Sequence, residues 1–196
     1  MTTPAVLEIH LHLHDGQITK FVQHDTVIAR NILEAIHPNH VFKAPQLLIG
    51  GEHVMTAFQP RLVVRVDLIT ELVPSWSASS LALNTHEISE EEFVTRCRPH
   101  VDVQSLPSEE LVVFGVWEMV NGERIFLQTH MTGKESKLLP LEVGLLIQQM
   151  MTAGGVLARG RHANYIVLNP ARLQRFTSYV GLQEMPANAL LMRHTD

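Results

Sequence analysis

The sequence predicts an α+β protein in which antiparallel sheets pack with a few helices, in two small units. Asp15-Gly16 and Asn121-Gly122 each lie between two alternating segments. This pattern is typical of a two-residue β-hairpin, because glycine supplies the positive φ that the turn needs. Apolar residues recur at helical spacing over residues 26–36, which indicates an amphipathic helix. The 196 residues suffice for one large core or for two smaller ones.

Residues 1–73 are predicted to form the first unit, in which a hairpin is followed by a helix and further strands. Asp25 is placed to cap a helix that runs from Thr26 to Ile36. Residues 46–55 are predicted to form a second hairpin around a diglycine. The segment 61–72 alternates between apolar and charged residues, which predicts an antiparallel strand with one face in water.

Residues 74–88 begin with small polar residues and are predicted as a linker to a second α+β unit, residues 89–196. Leu111–Val120 is apolar on both faces, which predicts a central strand. A nearly all-apolar helix is predicted over Leu141–Ala153, and another over residues 170–180 with Asn169 as its cap. Both units share the order hairpin, helix, diglycine and strand, which fits a duplication, although no residue-level repeat is visible.

Composition narrows the classes of function. The chain is 45% hydrophobic and 18% charged, as globular proteins are. No stretch approaches the ~20 apolar residues of a membrane span, and the N-terminus lacks the features of a secretory signal, so we expect a soluble cytoplasmic protein. The single cysteine, Cys97, excludes an internal disulfide framework and a thiolate-rich zinc site. The net charge of −5 argues against nucleic acid as a partner.

Three histidines, His10, His12 and His14, alternate with leucines and therefore share one face of a predicted strand. Neutral imidazole binds zinc and other divalent transition metals, and two imidazoles two residues apart on a strand can converge on one ion. His37 and His40 are further candidate ligands. The alternatives are a polar strand face in water or in an interface, and a pH-responsive surface.

A second candidate site is a group of arginines near the C-terminus. Arg159 and Arg161 follow the diglycine, and Arg172 and Arg175 lie three residues apart on the predicted helix. Residues 154–196 contain five arginines against two acidic residues. Guanidinium groups bind phosphate and carboxylate through paired hydrogen bonds, so these residues predict a site for a small anion. The alternative is an ordinary surface whose charges complement the acidic remainder of the chain.

These observations predict a non-enzymatic binding, assembly or regulatory protein that self-associates. The helix over 141–153 has almost no polar face and must be covered, so we expect a homodimer that forms through it or through the strands beside it. Another protein and a small anionic ligand are further candidate partners. The alternative function is a histidine-ligated, metal-dependent enzyme of hydrolytic type, built on the N-terminal histidines with zinc or a similar metal.

Overall fold

The computed structural model describes residues 4–51, 54–79, 84–97, 110–132, 148 and 150–179. In this part of the chain, eleven strands form three antiparallel sheets. The strands are β1 (Leu7–Leu13), β2 (Ile18–Gln23), β3 (Leu47–Gly50), β4 (Met55–Phe58), β5 (Val63–Ile69), β6 (Thr85–Ile88), β7 (Glu110–Met119), β8 (Arg124–Thr132), β9 (Val156–Ala158), β10 (Tyr165–Leu168) and β11 (Leu173–Tyr179). The α-helices with described bounds are α1 (Thr26–Ala35) and α2 (Glu90–Arg96), and residues 148 and 150–152 are also helical.

Two of the sheets are stacked between the helices. Sheet 1 has the strand order β2-β1-β5-β10-β9, and sheet 2 has the order β11-β7-β8-β6. One face of sheet 1 packs against α1, the opposite face packs against sheet 2, and the far face of sheet 2 packs against α2. The third sheet is the β3–β4 hairpin, whose half-buried side chains pack on the α1 side of sheet 1.

Three apolar cores hold these layers together. Leu11, Leu33 and Val66 belong to the core between α1 and sheet 1. Trp117 and Ile166 belong to the core between the two sheets. The smaller core beneath α2 consists of Ile88, Phe93, Val116 and Phe126. Because sheet 1 is covered on both faces, its strands β5 and β10 are almost completely buried.

Local sequence signals predict the hairpins and the first helix correctly. Gly16 and Gly122 both have φ of +85°, and each closes an antiparallel hairpin, β1–β2 and β7–β8. Asp25 caps α1, and its side chain accepts hydrogen bonds from two backbone amides of the first turn. The hairpin predicted over residues 46–55 is present as β3–β4, and β7 lies in the interior of its sheet as predicted.

The predicted fold class, α+β with a few packed helices, is wrong, because the described chain is mainly sheet. The helix predicted after Asn169 is a single 3-10 turn, Pro170–Arg172, and the chain continues as β11. Sheet 1 takes β1, β2 and β5 from residues 1–73 and takes β9 and β10 from residues 89–196. The strand predicted to have one face in water, β5, is buried on both faces for six of its seven residues.

The described residues leave two predictions untested, the apolar helix and the division into two units. The apolar helix over 141–153 lies mostly outside the described residues, and only 148 and 150–152 of it are seen as helical. Whether residues 1–73 and 89–196 can fold separately, with 74–88 as a linker, also stays a prediction. Among the described helices, none is long and apolar enough to cross a membrane.

The two larger sheets contain the same three-stranded motif. The N-terminal motif is β2-β1-β5, and the C-terminal motif is β8-β7-β11. Both turns use the same backbone and side-chain hydrogen bonds. In the first turn, the backbone amides of Leu13 and Gly16 donate to the carbonyls of Gln17 and Leu13, and the Gln17 amide donates to the Asp15 side chain. In the second turn, the amides of Met119 and Gly122 donate to the carbonyls of Glu123 and Met119, and the Glu123 amide donates to the Asn121 side chain.

The third strand of each motif is attached in the same way. Each begins after a 3-10 turn, Pro60–Leu62 before β5 and Pro170–Arg172 before β11. Each has a bulge at the same place, where Val64 and its counterpart Gln174 are skipped in the pairing. The structure therefore contains two copies of one motif, and Arg65 in the first corresponds to Arg175 in the second.

Candidate functional site

Charged side chains from both sheets meet in the space between them. His12 comes from β1, and Arg65 and Asp67 come from β5, where they share a face because they are two residues apart. Glu87 comes from β6, and Glu123 follows the Asn-Gly turn of the C-terminal motif. We call these five residues the inter-sheet cluster. It is the main group of buried charges in the described part of the chain.

Arg65 lies at the centre of the inter-sheet cluster and contacts three carboxylates. Its Nε is 2.5 Å from Oδ1 of Asp67. Its two terminal nitrogens donate to the two oxygens of Glu87, at 2.8 Å and 2.9 Å, in the bidentate geometry that guanidinium groups favour. Nη1 also donates to Glu123 at 3.1 Å. The Arg65 side chain is only 7% exposed, so these contacts replace nearly all of its hydration.

The same contacts hold Arg65 and Asp67 in their charged forms. Burial alone would raise the pKa of Asp67, but the hydrogen bond from His12 and the charge of Arg65 outweigh it and lower the pKa below its ordinary value. Burial alone would lower the pKa of Arg65, but its hydrogen bonds and charge contacts with Glu87 and Asp67 raise it. Asp67 is therefore ionised and Arg65 protonated at neutral pH, and each depends on the other.

The three histidines of the predicted strand, which we call the histidine ladder, have three different environments on and beside β1. His12 Nε2 donates to Asp67 at 3.0 Å, and its Nδ1 lies 3.7 Å from Glu123. His10 Nε2 lies 3.4 Å from Glu8 and is buried without a hydrogen-bond partner among the described residues. His14 is exposed at the end of the hairpin. His10 and His12 are thus largely buried, and His12 is part of the inter-sheet cluster.

His37 and His40 do not join the ladder. Their rings are 5.1 Å apart, and His37 lies against Trp76, which belongs to the core on the α1 side of sheet 1. His12 faces the opposite side of the sheet. In the ranges that the structure describes, no group of three or more His, Cys, Asp or Glu side chains could hold a metal ion. The metal site therefore stays a prediction.

The four candidate arginines lie in two places. Arg159 and Arg161 are beside β6, where the Arg159 backbone bonds to Thr85 and the Arg161 amide donates to Glu87. Arg172 and Arg175 are beside β7, on the 3-10 turn and the strand that replace the predicted helix. Arg175 donates to Glu118 at 2.6 Å. No described contact joins the two pairs, and a shared anion site stays a prediction.

An apolar cavity lies beneath the β3–β4 hairpin, on the other side of sheet 1 from the inter-sheet cluster. It has a volume of about 390 Å³ and is bounded by β1, β2, α1 and the hairpin. The described residues that line it are uncharged, and they include Phe21, Ile32 and Val54. Phe58 packs edge-on against Phe21 at 5.9 Å and fixes one end of the hairpin over this cavity.

The exposed side chains of the hairpin are also mostly apolar, and two of them, Leu48 and Val54, line the cavity as well. Leu48, Val54 and Met55 are 46%, 68% and 71% exposed. Thr56 and Ala57 of β4 are exposed as well. The hairpin therefore lies between a cavity on one side and solvent on the other. Most of its side chains are apolar, as is usual for a strand that is buried.

Comparison with known proteins gives no relationship. No protein-family model, curated protein or solved structure matches the chain significantly. The function must therefore be inferred from the residues themselves.

The alternating histidines in the sequence single out only one residue of the inter-sheet cluster, His12. The polar alternation of β5 contains the signal for Arg65 and Asp67, since it puts both on one face. Nothing in the sequence shows that Glu87 and Glu123 approach that face, because their positions depend on how the two sheets stack.

Proposed function

We propose that this chain is a non-enzymatic binding or assembly protein that self-associates. The observation that carries the proposal is the β3–β4 hairpin, which is a separate two-stranded sheet with apolar side chains in solvent. One face of the hairpin packs on sheet 1, but in the described residues its two strands pair only with each other, and an unpaired strand edge readily accepts a strand from another chain. The apolar residues that it exposes are of the kind found in protein interfaces.

The charged groups support the non-enzymatic part of the proposal. Arg65 faces three carboxylates, and His12 has a carboxylate near each ring nitrogen. A general acid or base must be able to reach a substrate, and a metal site for catalysis needs an open position. The contacts of the inter-sheet cluster use its groups for one another and so favour a role in holding the two sheets together.

The partner in this proposal is a second copy of the chain. A different protein that adds a strand to the hairpin, or a small anion bound near Arg172 and Arg175, would be further binding activities of the same non-enzymatic kind. We also propose the cytoplasm as the compartment, since a chain with one cysteine cannot form an internal disulfide.

Sedimentation of two matched valine variants tests self-association. Val54 on the hairpin is 68% exposed and Val94 on α2 is 72% exposed, so lysine is tolerated sterically at both. We expect the wild-type chain to sediment above 22.0 kDa at micromolar concentration. Val54→Lys should shift the population toward the monomer, because it adds a charge to the apolar interface. Val94→Lys should sediment like the wild type.

A wild-type chain that stays at 22.0 kDa as its concentration is raised would contradict the proposal. Equal effects of the two lysine substitutions would show that the association does not depend on the hairpin.

A further inference from the structure

The β3–β4 and β9–β10 hairpins occupy the same place in the two motifs. β4 ends two residues before the 3-10 turn that leads into β5, and β10 ends two residues before the turn that leads into β11. Their internal pairing is also the same, with Leu47 opposite Phe58 in the first hairpin and Val156 opposite Leu168 in the second. The repeat therefore extends to these hairpins, and β4 corresponds to β10.

The two hairpins differ in what they pair with. β10 adds to the outer edge of β5, which is the third strand of the N-terminal motif. The counterpart of β5 is β11, and in the described part of the chain no strand pairs with its outer edge. The counterpart of β10 is β4, which pairs with β3 alone in the described residues. Among the described strands, the outer edge of β5 is filled by β10, while the equivalent edge of β11 is open and β4 lacks the equivalent acceptor.

The strands β4 and β11 of one chain cannot meet. Phe58 of β4 packs on the α1 side of sheet 1, whereas Phe176 of β11 packs in the core between sheets 1 and 2. Sheet 1 lies between them. A pairing of β4 with β11 therefore has to join two chains.

We propose that β4 of one copy pairs antiparallel with the outer edge of β11 of a second copy. This inference rests on the proposed self-association and names its surface. In the first motif, Tyr165 pairs with Leu68 and Leu168 pairs with Arg65. Transferred to the counterparts, this register sets Met55 opposite Ser178, Thr56 opposite Thr177, Ala57 opposite Phe176 and Phe58 opposite Arg175.

The side chains fit this pairing. β4 carries no charged residue, and Arg175 on β11 already donates to Glu118, so no like charges oppose each other. Thr56 and Thr177 are β-branched residues that suit a cross-strand pair. Met55 and Tyr179, which are 71% and 40% exposed in the single chain, would lie near the new junction and lose exposed apolar surface.

The pairing is head-to-tail, since each copy donates β4 and accepts on β11. Such a contact uses two different surfaces and can continue from copy to copy, so it forms a ring if the rotation closes and a filament if it does not. The pairing would also fill the open edges of β4 and β11, and open edges expose a sheet to indiscriminate pairing.

Cysteine cross-linking between two differently tagged chains tests the register. Both chains carry Cys97→Ser, one also carries Thr56→Cys, and the other carries Thr177→Cys. Opposed residues in neighbouring strands have Cβ atoms about 4.5–5.5 Å apart, close to the spacing of a disulfide. Oxidation of the co-expressed chains should join one of each tag into a covalent species of twice 22.0 kDa. Gln174→Cys replaces Thr177→Cys in the control and should give little product, because it lies three residues, about 10 Å, along β11.

The results separate this inference from the proposed function. Chains that sediment as oligomers but do not cross-link through positions 56 and 177 would overturn the pairing and leave self-association standing. Equal cross-linking at 174 and 177 would overturn the register and with it the argument from the repeat. A chain carrying both Thr56→Cys and Thr177→Cys that closes an internal disulfide and stays monomeric would overturn the assignment to a second copy.

Discussion

Arg65 and Arg175 occupy the same position in two copies of one motif and have opposite environments. The Arg65 side chain is 7% exposed and contacts three carboxylates, while the Arg175 side chain is 61% exposed and contacts Glu118. Ion pairs in solvent contribute little to stability because water screens them and the side chains lose freedom on pairing. A buried charge that loses its partner is costly, because nothing replaces its hydration. The repeat thus supplies a matched pair of arginines for measuring this difference.

Replacement of Arg65 by methionine should strongly destabilise the fold. The change leaves the carboxylates of Asp67, Glu87 and Glu123 close together without a cation, and removing one partner of a buried ion pair typically costs about 3–5 kcal/mol. Denaturant unfolding at pH 7 measures the loss. Arg175→Met is the matched control, and its unfolding midpoint should stay near that of the wild type.

The cost of Arg65→Met should depend on pH in a defined direction. The pKa of Asp67 is lowered in the folded protein, so its ionised form contributes stability above the unfolded-state value of about 3.9. That contribution is lost as the pH falls through the lower, folded-state pKa. The gap between wild type and Arg65→Met should therefore be full at pH 7 and shrink below about pH 4. A gap that is constant from pH 7 to pH 3 would mean that lost packing, and not charge, causes the effect.

At the scale of single elements, the sequence predicts structure where the determining contacts are local. The turns at Gly16 and Gly122 follow from the need for positive φ, and α1 follows from its apolar spacing and the Asp25 cap. The alternation of β5 predicts which residues share a face, but it does not show whether the polar face meets water or other charges. Arg65 and Asp67 are polar and buried, because sheet 2 brings two carboxylates to Arg65 and Arg65 in turn pairs with Asp67. The burial of β5 thus depends on a tertiary contact.

The helix prediction for the segment after Asn169 is wrong for a related reason. Asn169 does cap a turn, since its side chain accepts a hydrogen bond from the Ala171 amide. A cap and a proline start a helix and a 3-10 turn equally well. The chain then continues as a strand because the edge of β7 is available to it. Arg172 therefore lies on a 3-10 turn and Arg175 on a strand, and not together on the predicted helix.

Replacing Gly16 or Gly122 by alanine should destabilise the protein, and the two separate losses in the free energy of unfolding should be similar. Gly16 and Gly122 have the same φ of +85° and the same hydrogen bonds, and a residue with a Cβ pays about 1–2 kcal/mol in that conformation. Denaturant unfolding of Gly16→Ala and Gly122→Ala measures each loss. Gly50→Ala serves as the control, because its φ is not positive and an added Cβ meets no atom within 4 Å. Unequal losses at 16 and 122 would show that the two turns are not energetically equivalent.

At the scale of the whole molecule, two equivalent motifs are used differently. The N-terminal motif receives α1 on one face and sheet 2 on the other, and the C-terminal motif receives sheet 1 and α2. The repeat is visible in backbone hydrogen bonds and bulges, whereas the side chains at equivalent positions, such as His12 and Glu118, differ in chemistry. This explains why the shared order of elements is present in the sequence while a residue-level repeat is not.

The shared sheet also predicts how the chain unfolds. β5 lies between β1 and β10, so separating residues 1–73 from 89–196 would open a hydrogen-bonded edge and expose Val66 and Leu68 beside it. We expect one cooperative thermal transition, in which the calorimetric enthalpy equals the van't Hoff enthalpy. The Val54→Lys chain is the sample of choice, because its reduced association keeps dissociation from adding a transition of its own. Two resolved transitions in that variant would instead support separate domains on either side of residues 74–88, with β5 and β10 joined only by docking.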